Sequence, residues 1–291
     1  MIHRYVFHND RLLSIEQVRL SPGQSGLLSG WGLFTTMRIV EGVPFAFERH
    51  WKRLARDADR THCPFPFEEG RVRGQLGEVL RANDVREGCA RIYVISNQIG
   101  FWRSDENFLP ADLVITSSGL PSYRDPLRLG LREQGRHAAS PLAGVKVTSW
   151  LPNVWSLSEA AREGCDEVIL LNERGEVAEC TAANVFCARN GRVLTPPLSS
   201  GCLAGITREV VMEVGPGKGV AIEERTLFPD DLYSADEVFI SSTNRSMLNV
   251  SEIAGKKIPI PREPIARKLE KIFSDYVREY VNARPIAMKT I

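Results

Sequence analysis

The chain has 291 residues, with 37 Lys plus Arg against 36 Asp plus Glu, a formal charge of +1, 43% hydrophobic and 25% charged side chains. That length and apolar content suffice for one large core or two ordinary ones, and the balanced charge lacks the dense positive surface that binding a phosphate backbone requires, so no nucleic-acid partner is expected. No apolar run approaches bilayer length, and His3, Arg4, His8, Asp10 and Arg11 break up the first 18 residues, so neither a membrane span nor a secretory leader is expected.

The six cysteines (Cys63, Cys89, Cys165, Cys180, Cys187, Cys202) show no C-x-x-C spacing and read as reduced core thiols, which fits a cytoplasmic location. The five histidines have no ligand spacing, so no metal is expected.

In chain order, Leu33 to Ile39 alternates as a strand, Glu41-Gly42 reads as a turn and Val43 to Phe47 as a second strand, together a hairpin. From Glu48 the period changes: Trp51, Leu54, Ala55 and Ala58 predict a helix to about Thr61, and Val72, Leu76, Val79 and Leu80 predict another. Arg91 to Ile99 and Leu113 to Ser117 read as strands. The Ser, Gly, Pro and Asp content of Ser117 to Pro126 marks a linker, which divides the chain into residues 1–118, a connection at 119–126, and residues 127–291. Beyond it come an alternating Leu127, Leu129 and Leu131, a helix from about Asn153 to Gly164, a meander through Val168–Leu171, Val177 and Val185, and a last helix from about Pro264 to Val281.

The chain carries 29 arginines and only 8 lysines, and one of these, Lys146, stands in the apolar alternation Gly144-Val145-Lys146-Val147. By itself a lysine between two valines reads first as a snorkelling strand-edge residue. The chemical alternative is specific to lysine: a desolvated lysine can give up its proton and attack an aldehyde, whereas arginine stays charged.

Gly205-Ile206-Thr207-Arg208-Glu209 opens an apolar helical pattern at Val210, Val211 and Val214, and free N–H groups at such a start bind phosphate, although Thr near a helix start is more often only a cap. Ser241-Ser242-Thr243-Asn244 follows a predicted strand and is by itself an ordinary turn. Gly215-Pro216-Gly217-Lys218-Gly219 lacks the spacing of a phosphate loop and reads as a helix-ending turn. Glu179 lies in a run of small residues, where a partly buried carboxylate would need a partner; the alternative is an exposed edge-strand glutamate.

Three stretches, Glu48-Arg49-His50-x-x-Arg53-Leu54, Lys146 followed by Glu179-x-x-x-x-Asn184-x-Phe186, and Thr195-Pro196-Pro197 through Cys202-Leu203-x-Gly205-Ile206-Thr207-Arg208, together resemble the class IV aminotransferases over about residues 3 to 281. The resemblance implies an α/β fold of type IV, with a small N-terminal α/β domain, a larger C-terminal α/β pseudo-barrel domain and pyridoxal 5'-phosphate (PLP) in the cleft between them, usually in a homodimer. It implies that Lys146 forms the Schiff base, that Glu179 faces the pyridine nitrogen, that Leu203 packs on the ring, and that Arg53, Ile206, Thr207, Ser242 and Thr243 bind the phosphate.

Within that family both an aminotransferase, acting on an amino acid and a 2-oxo acid, and an aminodeoxychorismate lyase would use the same lysine and glutamate. Phe34-Thr35-Thr36-x-Arg38 and Glu179-Cys180-x-Ala182-Ala183-Asn184 look like the lyase branch, whereas transamination is the commoner activity of the family. Trp31 stands where an acidic residue is usual, and Ser149-Trp150 replaces the Asn-Tyr pair of branched-chain enzymes. Arg103-Ser104-Asp105 keeps the arginine but loses the histidine of the D-amino-acid enzymes. Phe34, Arg38 and Arg103 are the expected substrate contacts.

Overall fold

Strands β1 (Tyr5–His8) and β2 (Arg11–Ser14) turn at Asn9, whose φ of 54° is a left-handed conformation that asparagine tolerates. The structure is a computed structural model and describes residues 1–20, 24–97 and 109–284. The described chain divides into two units: Met1–Pro121 with Lys146–Trp150 and the segment from Arg278, and Ser122–Val145 with Leu151–Val277. Each unit is therefore discontinuous in sequence.

In the first unit, a short helix α1 (Ser25–Ser29) precedes strand β3 (Gly32–Val40). Then come β4 (Val43–Pro44), helices α2 (Phe47–Arg60) and α3 (Glu69–Ala82), and strands β5 (Gly88–Ser96) and β6 (Ala111–Ser118). They form an antiparallel sheet in the order β2-β1-β6-β5-β3-β4. The register pairs Thr35 with Ile92 and Ile92 with Ile115, so Leu33, Met37, Ile39, Ala90, Val94 and Leu113 share one buried face. Leu54 and Ala58 of α2 and Leu76 and Leu80 of α3 are buried with them, as the helical spacing predicts.

The expected strand at Val43–Phe47 is a correction. The paired residues end at Pro44 with Phe45 N–H donating to the Arg38 carbonyl at 2.9 Å, after which Ala46 takes a φ of 53° and Phe47 is already helical. Phe45 and Phe47 are buried all the same, so apolar residues that read as alternation belong to a corner between strand and helix.

The second unit contains, in order, β7 (Leu127–Arg132), α4 (Leu151–Arg162), β8 (Glu167–Leu171), β9 (Val177–Cys180), β10 (Asn184–Arg189) and β11 (Arg192–Thr195). These are followed by α5 (Ile206–Val214), β12 (Ile222–Glu224), α6 (Pro229–Tyr233), β13 (Glu237–Ser242), β14 (Ser246–Ile253), β15 (Lys256–Lys257) and α7 (Ile265–Asn282), whose residues from Arg278 onward count with the first unit. The strands make one nine-stranded mixed sheet, β12-β11-β10-β13-β14-β7-β8-β9, with β15 beside β14. One face buries Leu129, Ile169, Val185, Ile240 and Val250, and on the other the rings of Phe186 and Phe239 stack at 5.1 Å. The buried Glu237 carboxylate accepts from the N–H groups of Ile265 and Ala266 at 2.7 and 3.0 Å, which anchors the positive end of α7.

The glycine-rich run at 215–219 is a single 3-10 turn that closes α5, with Gly219 at φ 75°. Among the described residues no helix is long and apolar enough to cross a membrane.

Candidate active site

Lys146 belongs to a segment that lies along β3 in the first unit. Phe34 N–H donates to the Lys146 carbonyl at 3.0 Å, Thr148 N–H donates to the Gly32 carbonyl at 2.9 Å, and Val147 faces Leu33 across an antiparallel bridge. This register puts the Val147 side chain on the core face with Leu33 and the Lys146 side chain on the opposite face with Phe34, where its Nζ stands 4.5 Å from the ring centroid. Close approach of the backbones makes two glycines obligatory: a Cβ on Gly32 would lie 2.8 Å from Thr148 Oγ1, and one on Gly30, whose φ is 68°, would lie 2.8 Å from Ser149 Cβ. The Lys146 N–H donates to Asp57 Oδ2 at 3.2 Å, so α2 also fixes the lysine's position.

Arg53 is buried one turn after His50 on the inner side of α2. Its Nη2 donates to Thr35 Oγ1 at 3.0 Å, and the same hydroxyl lies 2.7 Å from His50 Nδ1. Burial, together with the nearby charges of Arg53 and Lys146, holds the His50 imidazole well below its ordinary range, so it is neutral. Thr35 occupies a position on β3 where alternation calls for an apolar residue, which is the sequence signal that marks it.

Phe34, Thr36 and Arg38 share the second face of β3, opposite Tyr93, Arg91 and Cys89 of β5. The Phe34 and Tyr93 rings stack at 5.8 Å, and Arg91 Nη1 lies 3.4 Å from the Tyr93 hydroxyl. Arg38 has a buried Nε with no hydrogen-bond partner among the described residues. The sheet face carrying the Lys146 side chain therefore also carries two arginines, of which sequence reasoning had singled out only Arg38. Arg103 lies outside the described residues.

In the second unit Glu179 sits on β9, the last strand of the sheet, yet only 8% of it is exposed. Arg136 Nε donates to its Oε1 at 2.9 Å and the Leu203 N–H donates to its Oε2 at 3.0 Å. Arg136 is itself fixed by Asn153 Oδ1 at 2.9 Å. No spacing rule exposes Arg136 in the sequence, since it lies in a loop 43 residues before its partner.

Leu203 is clamped at both ends of its peptide unit, because Asn184 Nδ2 donates to its carbonyl at 2.9 Å. Two residues later Gly205 caps α5 without any side-chain hydrogen bond to the helix, and a Cβ there would fall 2.1 Å from Asn184 Oδ1. Ile206 and Thr207, both buried, begin the helix, whose first N–H groups lack intrahelical acceptors. Arg208 turns aside to the Pro196 carbonyl at 2.9 Å and to Glu224.

Ser242 ends β13 and Thr243 begins the turn into β14. That turn is rooted by Arg245, which is paired with the fully buried Glu167 at 2.7 Å and lies over the Tyr123 ring at 4.8 Å. The neighbouring Ser241 hydroxyl is buried and has no hydrogen-bond partner among the described residues.

The second unit thus offers an uncapped helix N-terminus suited to a dianionic phosphate and a fixed carboxylate suited to a pyridinium N–H, and the first offers a buried guanidinium and a half-buried amine. In each unit, taken by itself, the donors are of the kind that PLP requires.

Comparison with known proteins supports the same reading. The profile of the family described as Amino-transferase class IV matches residues 32–253. The chain is 28% identical over 281 residues (93% of this chain, 95% of the relative) to a putative branched-chain-amino-acid aminotransferase of Methanocaldococcus jannaschii. It is 27% identical to a D-alanine aminotransferase of Bacillus licheniformis (87% and 89% covered), and 26% identical to an aminodeoxychorismate lyase of Bacillus subtilis strain 168 (85% and 86% covered). Among solved structures it is similar, with a TM-score of 0.87 and 27% identity over 96% of this chain and 98% of the other, to a branched-chain aminotransferase from Thermoproteus uzoniensis with norvaline. The fold is the mixed α/β fold of type IV, and the chain belongs to the class IV aminotransferase family.

Proposed function

We propose that the protein is a PLP-dependent aminotransferase that moves an amino group between an amino acid and a 2-oxo acid. The observation that carries this reading is the run from Glu179 through Leu203 to Gly205, which sets a fixed carboxylate beside an uncapped helix start. Lys146, Arg53, Glu179, Leu203, Ile206, Thr207, Ser242 and Thr243 are the residues that would hold the cofactor. When bound, PLP supplies an aldehyde that captures an amine and a protonated ring that withdraws electrons from the substrate's α-carbon.

The residues of the chain divide the remaining work. Lys146 Nζ is the amine that would hold the cofactor's aldehyde carbon and, when not so engaged, would move the proton at the substrate's α-carbon. Glu179 would accept a hydrogen bond from the ring nitrogen, and Arg136 and the Leu203 N–H hold its carboxylate in place. The first N–H groups of α5 and the Arg53 guanidinium would neutralise the phosphate. Phe34 packs beside the amine, and Arg38 with Arg91 favours substrates bearing carboxylate groups. A homodimer in the cytoplasm is the expected assembly and location.

A second reading, aminodeoxychorismate lyase, is favoured by the stretch Phe34-Thr35-Thr36-x-Arg38 and by the likeness to the Bacillus subtilis lyase. Purified protein with PLP should show a visible absorption band that amino acids bleach in a half-reaction, and borohydride should fix the cofactor to the peptide carrying Lys146. Pyruvate released from aminodeoxychorismate, without amino transfer to 2-oxoglutarate, would replace the first reading with the second.

A further inference from the structure

The inner side of α2 carries three polar residues, His50, Arg53 and Asp57, among apolar ones, and each is no more than 6% exposed. Opposite them, on the core face of β3, stands Thr35, 1% exposed between Leu33 and Met37. Polar groups so deeply buried need partners: Asp57 has the Lys146 N–H and Arg56, and for His50, Arg53 and Thr35 the chemistry of the hydroxyl determines how they satisfy one another.

All nitrogens of Arg53 are donors, so the contact at 3.0 Å makes Thr35 Oγ1 an acceptor. The hydroxyl's own hydrogen then needs an acceptor, and the group within reach is His50 Nδ1 at 2.7 Å. That nitrogen can accept only if it is unprotonated, which puts the imidazole proton on Nε2. A doubly protonated ring would leave the hydroxyl hydrogen without an acceptor and add a second buried cation beside Arg53. The depressed affinity of His50 for a second proton agrees with this.

We propose that Thr35 and His50 are positioning residues for Arg53: a neutral His50 bearing its proton on Nε2 fixes the Thr35 hydroxyl, and the hydroxyl holds the guanidinium so that its other N–H groups meet the cofactor phosphate. The proposal rests on the reading that Arg53 takes that phosphate. The β-branched Thr35 is held in few rotamers on the strand, and His50 and Arg53 share one helix face, so the chain Nδ1···Hγ–Oγ1···H–Nη2 runs between two rigid elements. It is a directional stop for a long side chain, and its loss would cost phosphate affinity rather than ring affinity.

The test uses the full chain stripped of cofactor and titrated with PLP and, separately, with pyridoxal, which lacks the phosphate. Thr35→Val keeps the shape and suits the apolar face while removing the hydroxyl; it should weaken PLP about tenfold, the loss of one charge-assisted hydrogen bond, and leave pyridoxal binding unchanged. Thr35→Ser should bind PLP within about twofold of the parent, given that the hydroxyl is retained. His50→Leu, which removes the acceptor and keeps Thr35, should reproduce the Thr35→Val effect and keeps the test informative if one variant fails to fold. Long-range proton–nitrogen NMR of the parent should show His50 protonated on Nε2.

Equal weakening of PLP and pyridoxal, parent-like PLP binding by Thr35→Val, or a proton on Nδ1 would each overturn the proposal. If the parent binds neither PLP nor pyridoxal, the functional reading itself fails and takes this proposal with it.

Discussion

Arg136 Nε stands 2.9 Å from Glu179 Oε1 with both side chains largely buried, and the pair is the main electrostatic support of the carboxylate on β9. Replacing Arg136 by Met leaves Glu179 with the Leu203 N–H as its remaining hydrogen-bond partner among the described residues. A buried carboxylate stripped of its cation is costly, so the apoprotein should lose about 2 kcal/mol of stability and bind PLP more weakly. Urea unfolding read beside a PLP titration checks both; an unchanged midpoint would show that the ion pair carries no weight.

Lys146→Arg keeps a positive charge on the same segment, and the backbone bonds to Gly32, Phe34 and Asp57 do not depend on the side chain. Arginine does not give up its proton, so amino transfer should fall by at least about a thousandfold while the melting temperature stays near that of the parent. Stopped-flow half-reactions and a thermal melt measure the two quantities. Turnover at the parental rate would remove Lys146 from the chemistry.

Gly205→Ala places a Cβ where Asn184 Oδ1 now sits, so Asn184 must move and release the Leu203 carbonyl. The expected cost is about 1–3 kcal/mol, with weaker PLP binding because the α5 start shifts with it. Calorimetric melting of the apoprotein and the holoprotein would show a larger loss in the holoprotein.

His50 gives a pH signature. Its affinity for a proton is lower in the folded chain than its ordinary value of 6.5, owing to burial and then to Arg53 and Lys146. Above pH 6.5 neither state binds the proton and stability is unaffected; as pH falls below 6.5 the unfolded chain binds it and the folded one resists, so stability declines. His50→Leu should flatten this part of the pH–stability curve between about pH 6.5 and 5. Glu176, drawn down to about 2 chiefly by its hydrogen bond from Arg174, supplies stability that is full above its ordinary 4.5 and is lost progressively as pH falls from there to about 2, so the two windows separate. Equal slopes for parent and variant above about pH 5 would argue against a neutral buried His50.

Most of the framework was legible in the sequence because its signals are local. The 3.6-residue spacing of Leu54 and Ala58 or of Leu76 and Leu80, and the alternation of Leu33, Met37 and Ile39, each reflect one element burying one face. Lys146 stood out by contrast, as a scarce residue type between valines, but that pattern alone read first as a strand-edge lysine and only the resemblance implied a role for it. Val43–Phe47 misled because Phe45 and Phe47 are buried at a corner as fully as a strand would bury them, and only the φ of Ala46 distinguishes the two. Arg136, Thr35 and Asp57 were not legible in their roles, since their partners lie 43, 15 to 18 and 89 residues away and pairing over such separations leaves no periodic trace.

The placement of Lys146–Trp150 beside β3 bears on how the protein could be dissected. A fragment cut at residue 121 would carry every strand of the first sheet yet leave the Phe34 amide and the Gly32 carbonyl without their native partners. A bare margin of that kind recruits other chains, so such a truncation should self-associate, and supplying residues 146–150 through a short engineered loop should restore a monodisperse species.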